Sequence, residues 1–407
     1  MARKKSNASE LELTWEESGK CPVRFIDDAF GTGGGALAET LRLATGAEKP
    51  RILLVADGNV VQHSAGLGTR IGKWVQDQGV ELAGRPVVIS GGEKIKADNL
   101  QNAMRLLQVM LEAKLGRRDV VLVLGGGTLL DVVCYAAAQV RGGLSVVRMP
   151  TTMASILDGA LSTTAAVNAG GVKDAYRVRC APAAVVIDFN FATTVMDGVW
   201  RGGLGEMIRF AAACDAALMK KIAVSAPKLF ARDRDLALEL TRATVEKRLA
   251  KGPTDFALWS AMRLEAMSGY KLPHGYAVPI GICIDCAYAV ERGYQKPEDQ
   301  ALICGALIEC GSLDGLNHSQ HLLTQVDNIL VGLDVLLLST GSSAVTLPGA
   351  LGKTVVDETP DRELYRKAAG DFIKLASRSG SAKTEEPAAE APAAAESGQP
   401  AEAGEER

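Results

Sequence analysis

The chain has 407 residues, a formal net charge of -3 and 47% hydrophobic residues against only 5% aromatic ones. That length suits about two domains, and the core must be built mainly from Ala, Val, Leu and Ile. No apolar run approaches the roughly 18 residues of a membrane span, and no apolar signal core follows the charged start, so a cytoplasmic protein with no membrane partner is expected. No basic face stands out, which argues against nucleic acid as a partner. Eight cysteines lie in mostly apolar segments, the pattern of reduced, buried thiols.

In chain order, short runs rich in Val, Ile and Leu predict strands over 51–56, 86–90, 119–124, 145–149 and 183–188. They are apolar nearly throughout, as strands buried on both faces of a parallel sheet are. Helical spacing between them, over 100–113 and 129–140, argues a doubly wound α/β sheet. From about Trp200 helical patterns dominate, over 206–224, 234–249, 258–268 and 277–291. The next strand signal is at 344–347, and a domain boundary is placed near 197–203. From about residue 377 the chain is Ala, Glu, Pro and Ser, a composition that cannot offset its ordering entropy; a disordered tail over 377–407 is expected.

The chemistry-bearing motifs sit at predicted strand ends. Gly125, Gly126 and Gly127 follow one strand and precede a helix that carries Asp131 in its first turn. Glycines let a backbone approach a ligand closely, and a helix N-terminus attracts a pyrophosphate. A tight turn is the alternative. Asp57, with Gly58 and Asn59, ends the first strand, where an acid suits a ribose diol; a turn is again the alternative. Thr151 and Thr152 follow Pro150, either lining a crevice or capping a helix. Cys283 and Cys286 have C-x-x-C spacing in an apolar helical pattern, which favours buried packing over a redox or metal site. His318 and His321 could share a helix face, though a polar setting favours surface residues.

Taken in order, these pieces resemble the dehydroquinate synthase family of sugar-phosphate cyclases. The likeness runs from Asp57-Gly58-Asn59 through Gly92-Glu93 with Lys96, Gly125–Gly127 with Asp131, Arg141-Gly142, Pro150-Thr151-Thr152, Asp158, Val167-Asn168, Lys173 and Gly205-Glu206. It ends with His274-Gly275 and the stretch 346–353. The resemblance implies a flexible N-terminus over 1–20, a Rossmann-like NAD domain over 21–199 and an α-helical metal and substrate domain over 200–376. It implies a homodimer acting on a phosphorylated sugar. Bound NAD would oxidise a hydroxyl, phosphate would be eliminated, the hydride returned and the ring closed, with zinc or another divalent metal as Lewis acid.

By the same resemblance, Asp57, Asn59, Glu93, Lys96, Gly125, Gly126, Gly127, Asp131, Thr151 and Thr152 hold the cofactor. Asp158, Lys173 and Arg209 hold cofactor or substrate, Arg141 is placed to reach a neighbour's site, and Glu206 and His274 are metal ligands. The pattern then breaks. The middle ligand position is Leu258, without a donor atom, whereas a catalytic zinc site generally has three protein ligands. Met262 replaces a histidine, Ser162-Thr163-Thr164 stands for Gly-Gly-Lys, and Arg209 stands for a lysine. Two functions are therefore expected to compete: a cyclase of altered substrate or reduced activity, and a catalytically inactive homologue acting as a nucleotide-binding or assembly protein.

Overall fold

A computed structural model of the chain describes residues 18–380 apart from Asn99 and Gly315. Of the tail expected to be disordered over 377–407, residues 377–380 instead end a helix; the rest of it and the first 17 residues lie outside the described residues, as does the His318 side chain.

The strands are β1 (Val23–Ile26), β2 (Arg51–Asp57), β3 (Glu81–Leu82), β4 (Val87–Ile89), β5 (Val120–Gly125), β6 (Ser145–Pro150), β7 (Thr164–Ala169), β8 (Val172–Arg179) and β9 (Ala184–Asp188). A parallel sheet runs β1-β9-β6-β5-β2-β3, with β4 also paired to β2. Helices α1 (Gly34–Thr45), α2 (Gly58–His63), α3 (Leu67–Gln78), α4 (Gln101–Glu112), α5 (Gly127–Gln139), α6 (Met153–Leu157) and α7 (Phe189–Thr193) accompany them. Alternate strand residues face opposite ways. Ile52, Leu54, Val120 and Leu122 therefore pack under Leu37, Leu41 and Trp74, while Leu53, Val55, Val121 and Val123 join the core that holds α4 and α5.

The expected central strands match observed ones to within a residue or so at most ends. β1 and the β7–β8 hairpin were not expected. β1 is too short for a periodicity signal, and β8 is mostly exposed, with no apolar run to mark it. The hairpin turns at Gly170 and Gly171, both at positive φ, a conformation glycine adopts without a Cβ penalty.

Beyond β9 the chain is mainly helical: α8 (Asp197–Cys214), α9 (Ala216–Phe230), α10 (Arg234–Lys251), α11 (Leu258–Met267), α12 (His274–Glu291), α13 (Pro297–Glu309), α14 (Leu316–Leu323), α15 (Val326–Thr340) and α16 (Arg362–Gly380). Strands β10 (Val345–Pro348) and β11 (Thr354–Asp357) form an antiparallel pair. The single helix expected over 206–224 is two helices. Asp215 breaks it by capping α9, its side chain accepting from the Leu218 N–H at 2.9 Å. One core runs from the sheet face through α5 and α6 into α8, α11 and α12.

A stripe of glycines decides how α8 meets α12. A Cβ on Gly198 would lie 2.2 Å from the Tyr276 hydroxyl, one on Gly202 2.6 Å from Gly275 Cα, and one on Gly205 2.8 Å from Pro279 Cγ. Positions 198, 202 and 205 share one helix face. Each glycine costs helix propensity relative to alanine, and close approach of the two backbones is the return.

Asp285 on α12 is fully buried; its carboxylate accepts from the Ala257 N–H at 2.6 Å and the Trp259 indole N–H at 2.9 Å. Burial outweighs those two donors and pushes the carboxyl up to about 7. The folded chain thus holds a proton that the unfolded chain, titrating near 4, releases. That stability is full below pH 4 and lost as pH rises through 7. Between pH 5 and pH 7 wild type should lose about 2 kcal/mol relative to Asp285→Asn. Urea unfolding of both proteins at the two pH values tests this; parallel pH profiles would count against it. Cys283 and Cys286, on the same helix, are buried free thiols.

Candidate nucleotide crevice and charged cleft

The sheet order reverses direction at β2. After β2 the chain forms β3 and β4 on one side, then crosses to place β5 on the other. In open α/β sheets the crevice at the carboxyl ends of strands flanking such a reversal is where ligands bind. Asp57 ends β2 and Gly125 ends β5, and a Cβ on Gly125 would lie 3.3 Å from that of Asp57. Asp57 caps α2, accepting from the Asn59 N–H at 2.9 Å and the Gly91 N–H at 3.0 Å. Thr151 donates its backbone N–H to the Gly125 carbonyl, and Thr152 caps α6 through a reciprocal box with Ser155. The capping alternative therefore describes Thr152.

The three glycines differ. Gly125 is needed for packing, because a Cβ there would meet Leu129 Cδ2 at 2.7 Å. Gly126 is not: its φ of -74° and ψ of 173° suit any residue, and a Cβ would meet only Thr152 Cγ2, at 3.5 Å. Gly127 meets nothing closer than Ser155 Cβ at 4.0 Å. Nothing in the fold requires glycine at 126 and 127, and the space their missing side chains leave lies at the N-terminus of α5. The residues present fit a dinucleotide phosphate approaching that helix end. Helix α5 begins at Gly127, two residues before the expected start, so Asp131 sits in its second turn rather than its first.

Below this crevice lies a chain of charges. Lys96, 4% exposed, places its ammonium 2.5 Å from both Asp131 and Asp174. Burial opposes the charge on Lys96, but the two carboxylates outweigh it and hold it protonated. Asp174 has a φ of 55° beside an irregularity in the hairpin register. The break in strand alternation lets neighbouring Lys173 and Asp174 join the same cluster. Lys173 pairs with Glu265 and stands 3.5 Å from Glu93.

Glu265 then accepts from His274 Nδ1 at 2.7 Å, and His274 Nε2 bonds Glu206 Oε1 at 3.2 Å. Arg209 Nε donates to Glu206 Oε2 at 2.8 Å, while its Nη1 donates to the Thr254 carbonyl at 2.6 Å and its Nη2 reaches Asp158 at 3.3 Å. Arg248 closes the series, 3.5 Å from Asp158. Six elements and their flanking turns are tied together by alternating sign. Burial would raise the Glu206 carboxyl, but Arg209 and His274 hold it down to about 2. Burial would lower His274, yet Glu265 and Glu206 raise it to about 10. As the first residue of α12, a cationic His274 opposes the helix dipole; the two carboxylates offset that cost.

The structure therefore joins Glu93, Lys96, Asp131, Asp158, Lys173, Arg209, Glu206 and His274 in one region. It does not bring Arg141 there. Arg141 lies past the far end of α5, about 20 Å along the helix from Gly127, where its Nε donates to the Leu115 carbonyl. Glu265, Asp174 and Arg248 were not expected. The signal for Glu265 was spacing: 258, 262 and 265 fall on one face of α11, so Glu265 stands beside the substituted Leu258 and Met262.

The residues do not fit zinc. Leu258 offers no donor, and among the described residues no group of three or more His, Cys, Asp or Glu side chains is arranged to hold a metal ion. Glu206 and His274 spend their donor atoms on Arg209, Glu265 and each other. No helix among the described residues is long and apolar enough to cross a membrane.

Known proteins bear on the whole arrangement. Residues 86–201 match the family model for the 3-dehydroquinate synthase N-terminal region. A 3-dehydroquinate synthase of Sulfurisphaera tokodaii is 29% identical over 223 residues, covering 52% of this chain and 62% of that protein. The match thus spans less than two thirds of that relative's length. A demethyl-4-deoxygadusol synthase of Trichormus variabilis is 25% identical over 379 residues, 86% of this chain and 87% of its own. The solved 2-epi-5-epi-valiolone synthase of Streptomyces hygroscopicus subsp. jinggangensis, with NAD+ and Zn2+ bound, superposes with a TM-score of 0.76 at 21% identity, covering 90% of this chain and all of that one. The fold is a Rossmann-like parallel sheet joined to a helical half, and the chain is similar to 3-dehydroquinate synthases and related sugar-phosphate cyclases, matching their N-terminal family model over residues 86–201.

Proposed function

We propose that this chain binds NAD in the crevice between β2 and β5, and that its reaction on a phosphorylated sugar is altered or much reduced from that of its metal-dependent relatives. The observation that carries the second part is Glu206, whose two oxygens are taken by Arg209 and His274. The first part rests on Gly126, where the fold tolerates a side chain and only a ligand's approach forbids one. Asp57 stands at the crevice mouth for the ribose, and Lys96 with Asp131 forms its floor. Phosphate elimination and ring closure of the relatives' kind need an acidified C–H and a proton carrier, and Met262 cannot carry a proton. A second copy, with Arg141 reaching its neighbour's cleft, belongs to the same reading.

Gly126→Ala tests the cofactor. Since a Cβ there makes only ordinary contact, the thermal midpoint should stay within a degree or two of wild type. A ligand backed against the loop loses hydrogen bonds worth about 1.5–3 kcal/mol, so NAD binding measured by calorimetry should weaken at least about 10-fold. Equal affinities in the two proteins, or no binding by wild type at millimolar NAD, would remove this reading. Release of phosphate from a heptulosonate phosphate at the rate of an ordinary family member would remove the other.

A further inference from the structure

We propose that the Arg209 guanidinium occupies the electrostatic place of a divalent cation at Glu206, making this cleft a metal-excluding charge core. The inference stands apart from the NAD reading and does not depend on it.

Glu206 is 1% exposed. A bare carboxylate so far from water is held only beside a cation that it also hydrogen-bonds. In a metal site that cation is the ion; here it comes from the chain. Arg209 lies three residues along α8, on the same face, and reaches Glu206 Oε2 with Nε. It is itself 0% exposed, and Thr254 and Asp158 take its remaining nitrogens. Its guanidinium also lies over the Phe210 ring, 4.3 Å from the centroid. An ion entering at Glu206 would have to displace a guanidinium that exposes no surface of its own.

The remaining donors do not help an incoming ion. His274 has its ring nitrogens 2.7 Å from Glu265 and 3.2 Å from Glu206. Leu258, partly buried on the adjoining face of α11, presents methyl groups. The charges already alternate from Arg248 to Glu93 without a vacancy for two more positive units. Arg209 is thus the specific obstacle, and the missing ligand at 258 is a second, separate one.

Restoring the ligand alone should therefore fail. Equilibrium dialysis against zinc, read by elemental analysis, is run on wild type, Glu206→Gln, Leu258→His and Leu258→His/Arg209→Ala. Wild type and Glu206→Gln are expected to take up the same amount, any of it bound elsewhere. The double variant is expected to gain a zinc equivalent and to bind it roughly 10–100-fold more tightly than Leu258→His. Zinc uptake by wild type that Glu206→Gln abolishes overturns the proposal, as does equal affinity of Leu258→His and the double variant. If the double variant does not fold, the comparison of wild type with Glu206→Gln decides alone.

Discussion

Replacing Glu265 by glutamine is expected to lower the unfolding free energy by about 3–5 kcal/mol, the range for removing one partner of a buried ion pair. Glutamine keeps the volume and one acceptor but loses the charge. Lys173 and His274 both depend on that charge. Lys173 is 7% exposed and cannot reach water without dragging β8, whereas His274 is already 30% exposed. Exposed salt bridges such as Lys221–Glu239, about half exposed on both sides, carry only about 0–1 kcal/mol, so Glu239→Gln is the contrast. Urea unfolding of both variants tests the difference. A loss below about 1 kcal/mol for Glu265→Gln would mean that the charge chain is solvated, and the metal-excluding core would lose its footing.

Gly202→Val should be at least as damaging. Two effects oppose each other. Valine is a better helix former than glycine by a few tenths of a kcal/mol. Against that, its Cβ would lie 2.6 Å from Gly275 Cα and 3.1 Å from Gly275 C, where carbon atoms prefer about 3.5–4.0 Å. The neighbour is backbone, which cannot swing aside, and two methyl groups follow. Overpacking costs roughly 1–3 kcal/mol when side chains can adjust, and more when they cannot; about 3 kcal/mol or more is expected. The damage should also reach the cleft, because Gly275 is next to His274 and Gly202 is one turn before Glu206. Gly72→Ala, in α3 with nothing within 4 Å, should instead stabilise by about 0.5–1 kcal/mol. Thermal unfolding of the two variants would contradict the packing argument if Gly202→Val behaved like Gly72→Ala.

Much of the sheet was legible because its strands are buried on both faces. Val120–Gly125 is apolar at nearly every position and ends in a glycine loop, so its type, its end and its neighbour α5 could all be read locally. Hairpin β7–β8 was not legible, since Val172–Arg179 is mostly exposed and mixes charged and apolar residues without an apolar run. The break at Asp215 was hidden for another reason: apolar spacing continues across it, and only the side-chain cap ends one helix and starts the next.

The chain's residues alone settled that a glycine loop follows a buried strand, and that position 258 has no donor atom. Those are properties of single positions and of short spacings. What replaced the metal was decided in three dimensions. Arg209 read as a cation that differs from lysine in shape, with no partner named, and Glu265 as one acid among 48 acidic residues. Only the close crossing of α8 and α12, permitted by Gly202 and Gly275, and the face that α11 turns inward bring them to Glu206 and His274. Charges are set by sequence, but whether two of them can neutralise each other depends on distance and on exclusion of water, and both are consequences of packing.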